Sequence, residues 1–222
     1  MDVKNAFLHG DLVEKVYMKQ PAGFVDKDKP DHVCLLHKSL YGLKQSPRAW
    51  YDKFSTFLLE FGFLCSLWDP SLFVYSRNND MIFLLLYVDD MIITGSNSHT
   101  LTHLLAELSK QFRMKDLGRA HYFLGIQLQY FPDGMFMSQQ KYAEDLLIAA
   151  QMENCASMPT PLPLELDKVP DQQTEFPEPT YFRSLAGKLQ YLTLTRPDIQ
   201  FAVNYVCQKM HKPTTSDFHL LK

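Results

Sequence analysis

The stretch Met81–Gly95, MIFLLLYVDDMIITG, constrains the fold of this chain more than any other. From Met81 to Tyr87 every residue is apolar or aromatic, and after Tyr87-Val88-Asp89-Asp90 the apolar residues resume with Met91, Ile92 and Ile93. A continuous apolar run bounded by turn signals reads as a strand buried on both faces. Two such runs with only a pair of aspartates between them predict a tight hairpin with Asp89 and Asp90 at its bend, because Asp tolerates the left-handed backbone of a two-residue turn. Adjacent carboxylates at the end of buried strands repel and are costly to desolvate. A bound cation removes that penalty, and hard oxygen ligands suit magnesium or manganese. The plainer alternative is a solvated surface turn that happens to hold two acids.

The flanking sequence supplies the rest of a mixed fold. Val16 and Met18 lie on one face of a short strand ending at Pro21, and Val33–Leu36 is a second. Ser46 as N-cap and Pro47 as first helical residue open a helix whose stripe is Trp50, Phe54, Leu58 and Phe61, with Gly62 as its stop. Leu72–Tyr75 is a strand, and Asn78-Asn79-Asp80 turns it into the central stretch, giving an antiparallel meander. Asn97 or Ser98 caps a helix striped by Leu101, Leu104, Leu105, Leu108 and Phe112. A strand at His121–Tyr130 turns at Pro132-Asp133-Gly134 and returns as Met135–Ser138, followed by a helix over about Gln139–Gln151.

Beyond that helix the composition shifts. Six of the 13 prolines lie between Pro159 and Pro179, and Glu153–Thr180 has six acids against Lys168 alone, so residues 153–180 read as an acidic linker. Tyr181–Lys222 carries six Lys and Arg against Asp198 and Asp217, in two helical patterns at about Tyr181–Leu194 and Asp198–His211. Such a basic helical segment suits a phosphate backbone, although a net +4 equally describes an ordinary solvated helix pair. The whole chain, at −3, offers no bulk electrostatic case for nucleic acid, so that case rests on local patches. Cys34, Cys65, Cys155 and Cys207 lack metal-type spacing and read as reduced thiols of an intracellular protein. MDVKNAFLHG lacks the basic start and apolar run of a signal peptide, and the run at Met81–Val88 is too short to span a bilayer, so no membrane partner is expected.

Two carboxylates at one hairpin and a third at a neighbouring strand end form the minimal cage for two divalent ions in a phosphoryl displacement. Asp2 is the natural third, since it too follows a presumed strand end and precedes a turn. DVKNAFLHG, EKVYMKQPAGF, SLYGLKQSPRAW, LLLYVDDMIITG, HYFLGIQL and YFRSLAGKLQYLTLTRPDIQFAV follow one another in this order. Together they closely resemble the reverse transcriptase of copia-type long-terminal-repeat retrotransposons, over nearly the whole chain.

The resemblance implies an α+β fold: a polymerase palm at residues 1–152, with an antiparallel sheet backed by helices, then the linker and a mainly helical thumb or connection segment at 181–222. It implies that Asp2, Asp89 and Asp90 are catalytic carboxylates binding two magnesium ions, with manganese as a substitute. Phe7 matches the aromatic gate that excludes ribonucleotides. Val3, Lys4 and Asn5 would lie along the triphosphate, Tyr41 and Gly42 against the incoming nucleotide and template, and Tyr87 under the primer end. Phe123, Leu124 and Gly125 match the primer grip, and Lys115, in FRMKDLG, is a candidate general acid toward pyrophosphate. The implied partners are a primed RNA or DNA template, deoxynucleoside triphosphates and the rest of a Pol polyprotein. The implied location is a cytoplasmic virus-like particle or the nucleus.

Each residue also has a bland reading: Phe7 a core aromatic, Tyr41 and Tyr87 half-buried sheet residues, Gly125 a bulge glycine, Lys115 a solvated lysine. The family's basic fingers segment and the strand before the first aspartate have no counterpart ahead of Asp2. The sequence therefore also fits a catalytically inactive, truncated retrotransposon remnant. A nucleotide cyclase on a similar sheet is disfavoured, because its glycine-rich hairpin is missing.

Overall fold

The computed structural model describes residues 1–163 and 174–222, so part of the expected linker, 164–173, lies outside the described residues. Among the described residues the elements in chain order are β1 (Asp2–Val3), β2 (Asp11–Lys19), β3 (Val33–Lys38), α1 (Ser46–Phe61), β4 (Leu64–Cys65), β5 (Leu72–Arg77), β6 (Asp80–Tyr87), β7 (Asp90–Gly95), α2 (Ser98–Gln111), β8 (Met114–Lys115), β9 (Tyr122–Phe123), β10 (Ile126–Phe131), β11 (Gly134–Ser138), α3 (Gln140–Ala149), α4 (Pro179–Leu192), α5 (Gln200–Cys207) and α6 (Thr215–Leu221). They form two compact units, Met1–Ala120 and His121–Lys222. The boundary thus falls earlier than the sequence segments: His121–Met152 groups with the C-terminal helices, because Leu146 and Ala150 share a core with Phe182 and Leu185 of α4.

The first unit is built on an antiparallel sheet with strand order β4-β5-β6-β7-β1-β8. The meander β4 to β7 follows the chain, but β1, the first strand in sequence, inserts beyond β7 and is covered on its far side by β8. On one sheet face Ile82, Leu84, Leu86, Met91 and Val3 join Trp50, Phe54 and Leu58 of α1 and Leu104 and Leu108 of α2 in a single buried cluster. This is the helix-backed antiparallel sheet that the apolar patterning predicts. The continuous run of β6 is nevertheless buried on one face only: Met81, Phe83 and Tyr87 alternate outward and are exposed. A strand's two-residue period leaves every second side chain opposite the helices.

Local signals hold with adjustments. Asn97 caps α2 by accepting from the amides of His99 and Thr100, and Gly62 ends α1 at φ 110°, a left-handed conformation that glycine adopts without penalty. Ser46 is not the cap of α1: Gln45 occupies that position, while the Ser46 hydroxyl donates to the Leu40 carbonyl at 2.5 Å. The expected continuous strand at His121–Tyr130 is instead the hairpin β9–β10, turning at Leu124-Gly125.

In the second unit β9, β10 and β11 form a small antiparallel sheet, and α3 to α6 surround a core of Leu146, Phe182, Leu185, Ala186, Val206 and Leu221. The described end of the expected linker is tied into it. Phe176 donates its amide to Pro213, and its ring stacks on Phe218 at 4.1 Å. Among the described residues, no helix is long and apolar enough to cross a membrane.

Candidate active site

The sheet register assembles a row of side chains that the sequence keeps far apart. Tyr87 of β6 pairs with Asp90 of β7, Asp90 with Asp2 of β1, and Asp2 with Lys115 of β8. Residues directly opposite in an antiparallel ladder project from the same face, with Cβ atoms roughly 4.5–5.5 Å apart. Tyr87, Asp90, Asp2 and Lys115 therefore line one face in that order, away from the buried cluster. The two-residue β1 is no loose end. It is paired on both sides, the N-terminal ammonium donates to the Met91 carbonyl at 2.9 Å, and the Met91 amide donates to the Met1 carbonyl at 3.0 Å.

Asp89 lies beside this row, in the turn. The bend is formed by Val88 and Asp89, not by Asp89 and Asp90; Asp90 is already the first residue of β7. Val88 takes φ 54°, a left-handed conformation rare for a β-branched residue. Turn propensity points one residue too far along, because it ranks Asp above Val for that backbone. Two carbonyls fix the turn: the Val88 oxygen accepts the Trp50 indole N–H at 2.7 Å, and the Asp89 oxygen accepts the Val3 amide at 2.8 Å.

The electrostatics mark the same spot. Burial first, then the charges of Asp89 and Asp2, push the Asp90 carboxyl above its ordinary range, while the N-terminal ammonium acts the other way. Among the described residues no three His, Cys, Asp or Glu side chains are grouped so as to hold a metal ion. The three carboxylates thus lie on neighbouring interior strands and their adjoining turn without forming a closed cage. Their chemistry still fits a hard divalent ion, whose charge would relieve the like-charge repulsion on Asp90.

Next to the row, Phe7 lies in a single 3-10 turn, Ala6–His9, and its ring centroid is 4.7 Å from that of Tyr41. The Ser39 hydroxyl bonds the Phe7 carbonyl, and Gly10 passes so close to α1 that an added Cβ would meet the Trp50 backbone nitrogen at 2.9 Å. Gly42 follows Tyr41 at φ 93°, where a side chain would be strained. Phe7, Pro47, Trp50, Leu86 and Val88 contribute to the lining of a cleft of ≈ 240 Å³. Lys4 is exposed, but its amide already donates to the Arg113 carbonyl at 2.8 Å, so a phosphate here would meet its side chain. Asn5 stands at φ 56° just ahead of the 3-10 turn.

In the second unit Phe123 pairs with Ile126 around a turn with Leu124 at φ 48° and Gly125 at φ 81°. The Tyr191 hydroxyl, from α4, donates to the Leu124 carbonyl, and a Cβ on Gly125 would meet it at 3.4 Å.

Three contributors escape the sequence reading: Trp50 and Tyr191, which bond the two turns, and Arg113, whose carbonyl takes the Lys4 amide. Trp50 has one available signal. A Trp in a stripe otherwise of Phe and Leu brings an N–H that needs a partner when buried.

Comparisons with known proteins identify the family. A family model described as reverse transcriptase (RNA-dependent DNA polymerase) matches residues 1–164. The retrovirus-related Pol polyprotein from transposon RE2 of Arabidopsis thaliana is 47% identical over the whole chain, which spans 15% of that polyprotein. The corresponding polyprotein from transposon TNT 1-94 of Nicotiana tabacum is 39% identical, again over the whole chain and 18% of its own length. The putative transposon Ty5-1 protein of Saccharomyces cerevisiae is 30% identical over 96% of the chain and 70% of its own length. No solved structure gives a significant match.

Proposed function

The chain belongs to the reverse transcriptase (RNA-dependent DNA polymerase) family, of the copia-type retrotransposon kind, and we propose that its first unit is a polymerase palm serving attack of a primer 3′-hydroxyl on the α-phosphate of a deoxynucleoside triphosphate. The observation that carries this reading is the cross-strand row Tyr87, Asp90, Asp2, Lys115, with Asp89 in the adjoining turn. Asp2, Asp89 and Asp90 would hold two magnesium ions, or manganese in their place; bound there, such ions neutralise charge on the transferred phosphoryl group.

The protein's own groups divide the remaining work. Lys115, paired with Asp2 across the β1–β8 ladder, would give a proton toward departing pyrophosphate, and Lys4 would add positive charge on the triphosphate side. Phe7, braced by Tyr41, fills the space that a ribose 2′-hydroxyl would need, and Tyr87 supports the primer end. Phe123, Leu124 and Gly125 serve as the primer grip, and the helices of the second unit as thumb or connection. The partners are then a primed RNA or DNA template, deoxynucleotides and the remainder of a Pol polyprotein, in a cytoplasmic particle or the nucleus.

Primer extension on an RNA template with magnesium or manganese tests this reading, comparing a Pol polyprotein that carries this chain with its Asp89→Asn variant. The substitution keeps the shape and removes the charge, so synthesis should fall to background with turnover affected more than nucleotide binding. Equal synthesis by both proteins would remove Asp89 from the site. Phe7→Ala should admit ribonucleotides while deoxynucleotide addition persists, because it relieves a clash and deletes no ligand. An unchanged incorporation ratio would leave Phe7 a core residue. The second reading is an inactive remnant that at most binds nucleic acid. Template binding without Asp89-dependent synthesis would support it.

A further inference from the structure

We propose that Trp50 is a positioning residue of the carboxylate turn: its indole N–H, bonded to the Val88 carbonyl, holds a left-handed valine that the turn alone disfavours, and so fixes the backbone that carries Asp89. The bond is 2.7 Å long, and its donor has no freedom to leave. Trp50 is 1% exposed, and its ring sits against Phe54 at 5.1 Å, Phe112 edge-on at 5.4 Å and His9 at 5.7 Å. A ring locked on three sides presents its N–H in one direction, which is what a preorganised support requires.

The acceptor is where support is needed. A left-handed conformation is unfavourable for any L-residue with a Cβ and worse for a β-branched one; such residues persist where the surroundings over-determine them. At Val88 the surroundings do so from two sides, since the next carbonyl, that of Asp89, is taken by the Val3 amide at 2.8 Å. Helix α1 and strand β1 therefore clamp consecutive peptide units of the turn. Without the indole donor the Val88 carbonyl becomes a part-buried acceptor lacking this bond, and the valine gains by relaxing toward ordinary φ. That relaxation would swing the following peptide and the Asp89 side chain with it.

The consequence for metal binding rests on the reading of Asp89 as a ligand; the geometry of the turn does not, and the two are separable by experiment. The chain has two tryptophans, and Trp68 is 95% exposed, so the slowly exchanging indole signal in an NMR spectrum of the full chain is that of Trp50. Trp50→Phe keeps an aromatic ring in place and removes the donor. Amide exchange at Asp90 should accelerate about five- to tenfold, the worth of one hydrogen bond, while amides at Leu104 and Leu108 in α2 hold. Trp50→benzothienylalanine, indole-shaped but without the N–H, should do the same with less disturbance of the core.

The discriminating variant is Trp50→Phe with Val88→Gly. Glycine occupies φ 54° without strain, so the turn no longer needs the indole and slow exchange at Asp90 should return. A purely space-filling role for Trp50 would not be rescued in this way. Unchanged Asp90 exchange in Trp50→Phe, or failure of the rescue, overturns the proposal. Manganese affinity, read by paramagnetic broadening, should weaken about five- to tenfold in Trp50→Phe if Asp89 is a ligand. Should Asp89→Asn leave manganese affinity unaltered, the ligand reading of Asp89 fails while the exchange data still decide the role of Trp50.

Discussion

Among the described residues, two of the short hairpin turns are each bonded by an aromatic side chain from a helix, Val88-Asp89 in the first unit and Leu124-Gly125 in the second, and they solve the same problem differently. Each has a non-glycine residue at positive φ, 54° for Val88 and 48° for Leu124. Each leading carbonyl is bonded by an aromatic side chain from a helix, the indole of Trp50 on α1 or the hydroxyl of Tyr191 on α4. In the second turn Gly125 also takes positive φ, as the favoured twist-matched turn demands, and supplies its own conformational relief. In the first turn the left-handed position falls on a β-branched residue, and the next residue is a carboxylate. Strain is thus concentrated where Asp89 sits, with the neighbouring core as its restraint.

The largest expected effect comes from deleting the two donors outright. Trp50→Ala removes the turn's support together with a large buried ring at the centre of an aromatic cluster, and should destabilise the first unit by about 3–5 kcal/mol. Tyr191 is only partly buried, and its turn has a glycine to fall back on, so Tyr191→Ala should cost the second unit about 1–2 kcal/mol. Urea unfolding followed by hydrogen exchange in each unit reads both. Equal losses would mean that the two turns are restrained alike.

The intermediate effect is electrostatic and belongs to the first unit, beside its turn. The Asp90 carboxyl is raised by burial and by Asp89 and Asp2, so the folded chain holds its proton more tightly than the unfolded chain. That contribution to stability is complete below the ordinary carboxylate range and is lost as pH rises through the raised value. At neutral pH Asp90 is therefore unfavourable, and Asp90→Asn should raise the melting temperature by about 2–4 °C there, with the gap closing on acidification. Saturating manganese should reverse the order if these carboxylates bind it, because a ligand of the folded state stabilises only the protein that retains its site. A gap that widens on acidification would contradict the like-charge account.

How much of the molecule is legible in its sequence depends on the range of the interactions. The helix stripe Trp50, Phe54, Leu58 and the Asn97 cap are local signals, and they mark α1 and α2 closely. The meander β5–β6–β7 is equally readable, from one apolar run and the Asn78-Asn79 turn. Both misread turns place a bulky residue at positive φ, against turn propensity: the expected bend falls one residue late at Val88, and the break at Leu124 reads as strand. Helix α6, a short element whose capping box joins Thr214 and Asp217, also goes unread. At the site, residue identities come from motif resemblance, whereas the adjacency of Asp2 to both Asp90 and Lys115 depends on β1 inserting between β7 and β8. No periodicity encodes that insertion.

The smallest effect sharpens the comparison most directly, because it tests strain alone. Left-handed backbone costs an L-residue about 1–2 kcal/mol, more for a β-branched side chain than for leucine. Glycine removes that penalty, but its freedom in the unfolded chain costs roughly 0.5–1 kcal/mol. At Val88 the first quantity should win, so Val88→Gly should be neutral to stabilising by about 0.5 kcal/mol, a rare direction for a glycine substitution in a hairpin. At Leu124 the side chain is unbranched at Cβ and the next residue is already glycine, so Leu124→Gly should be neutral to destabilising by a similar amount. Urea midpoints at unchanged slope measure the difference, since an altered slope would report a change in the unfolded chain. Were Leu124→Gly the more favourable of the two, the greater strain would lie in the second unit, and the core donor at Val88 would have to be explained by something other than a reluctant valine.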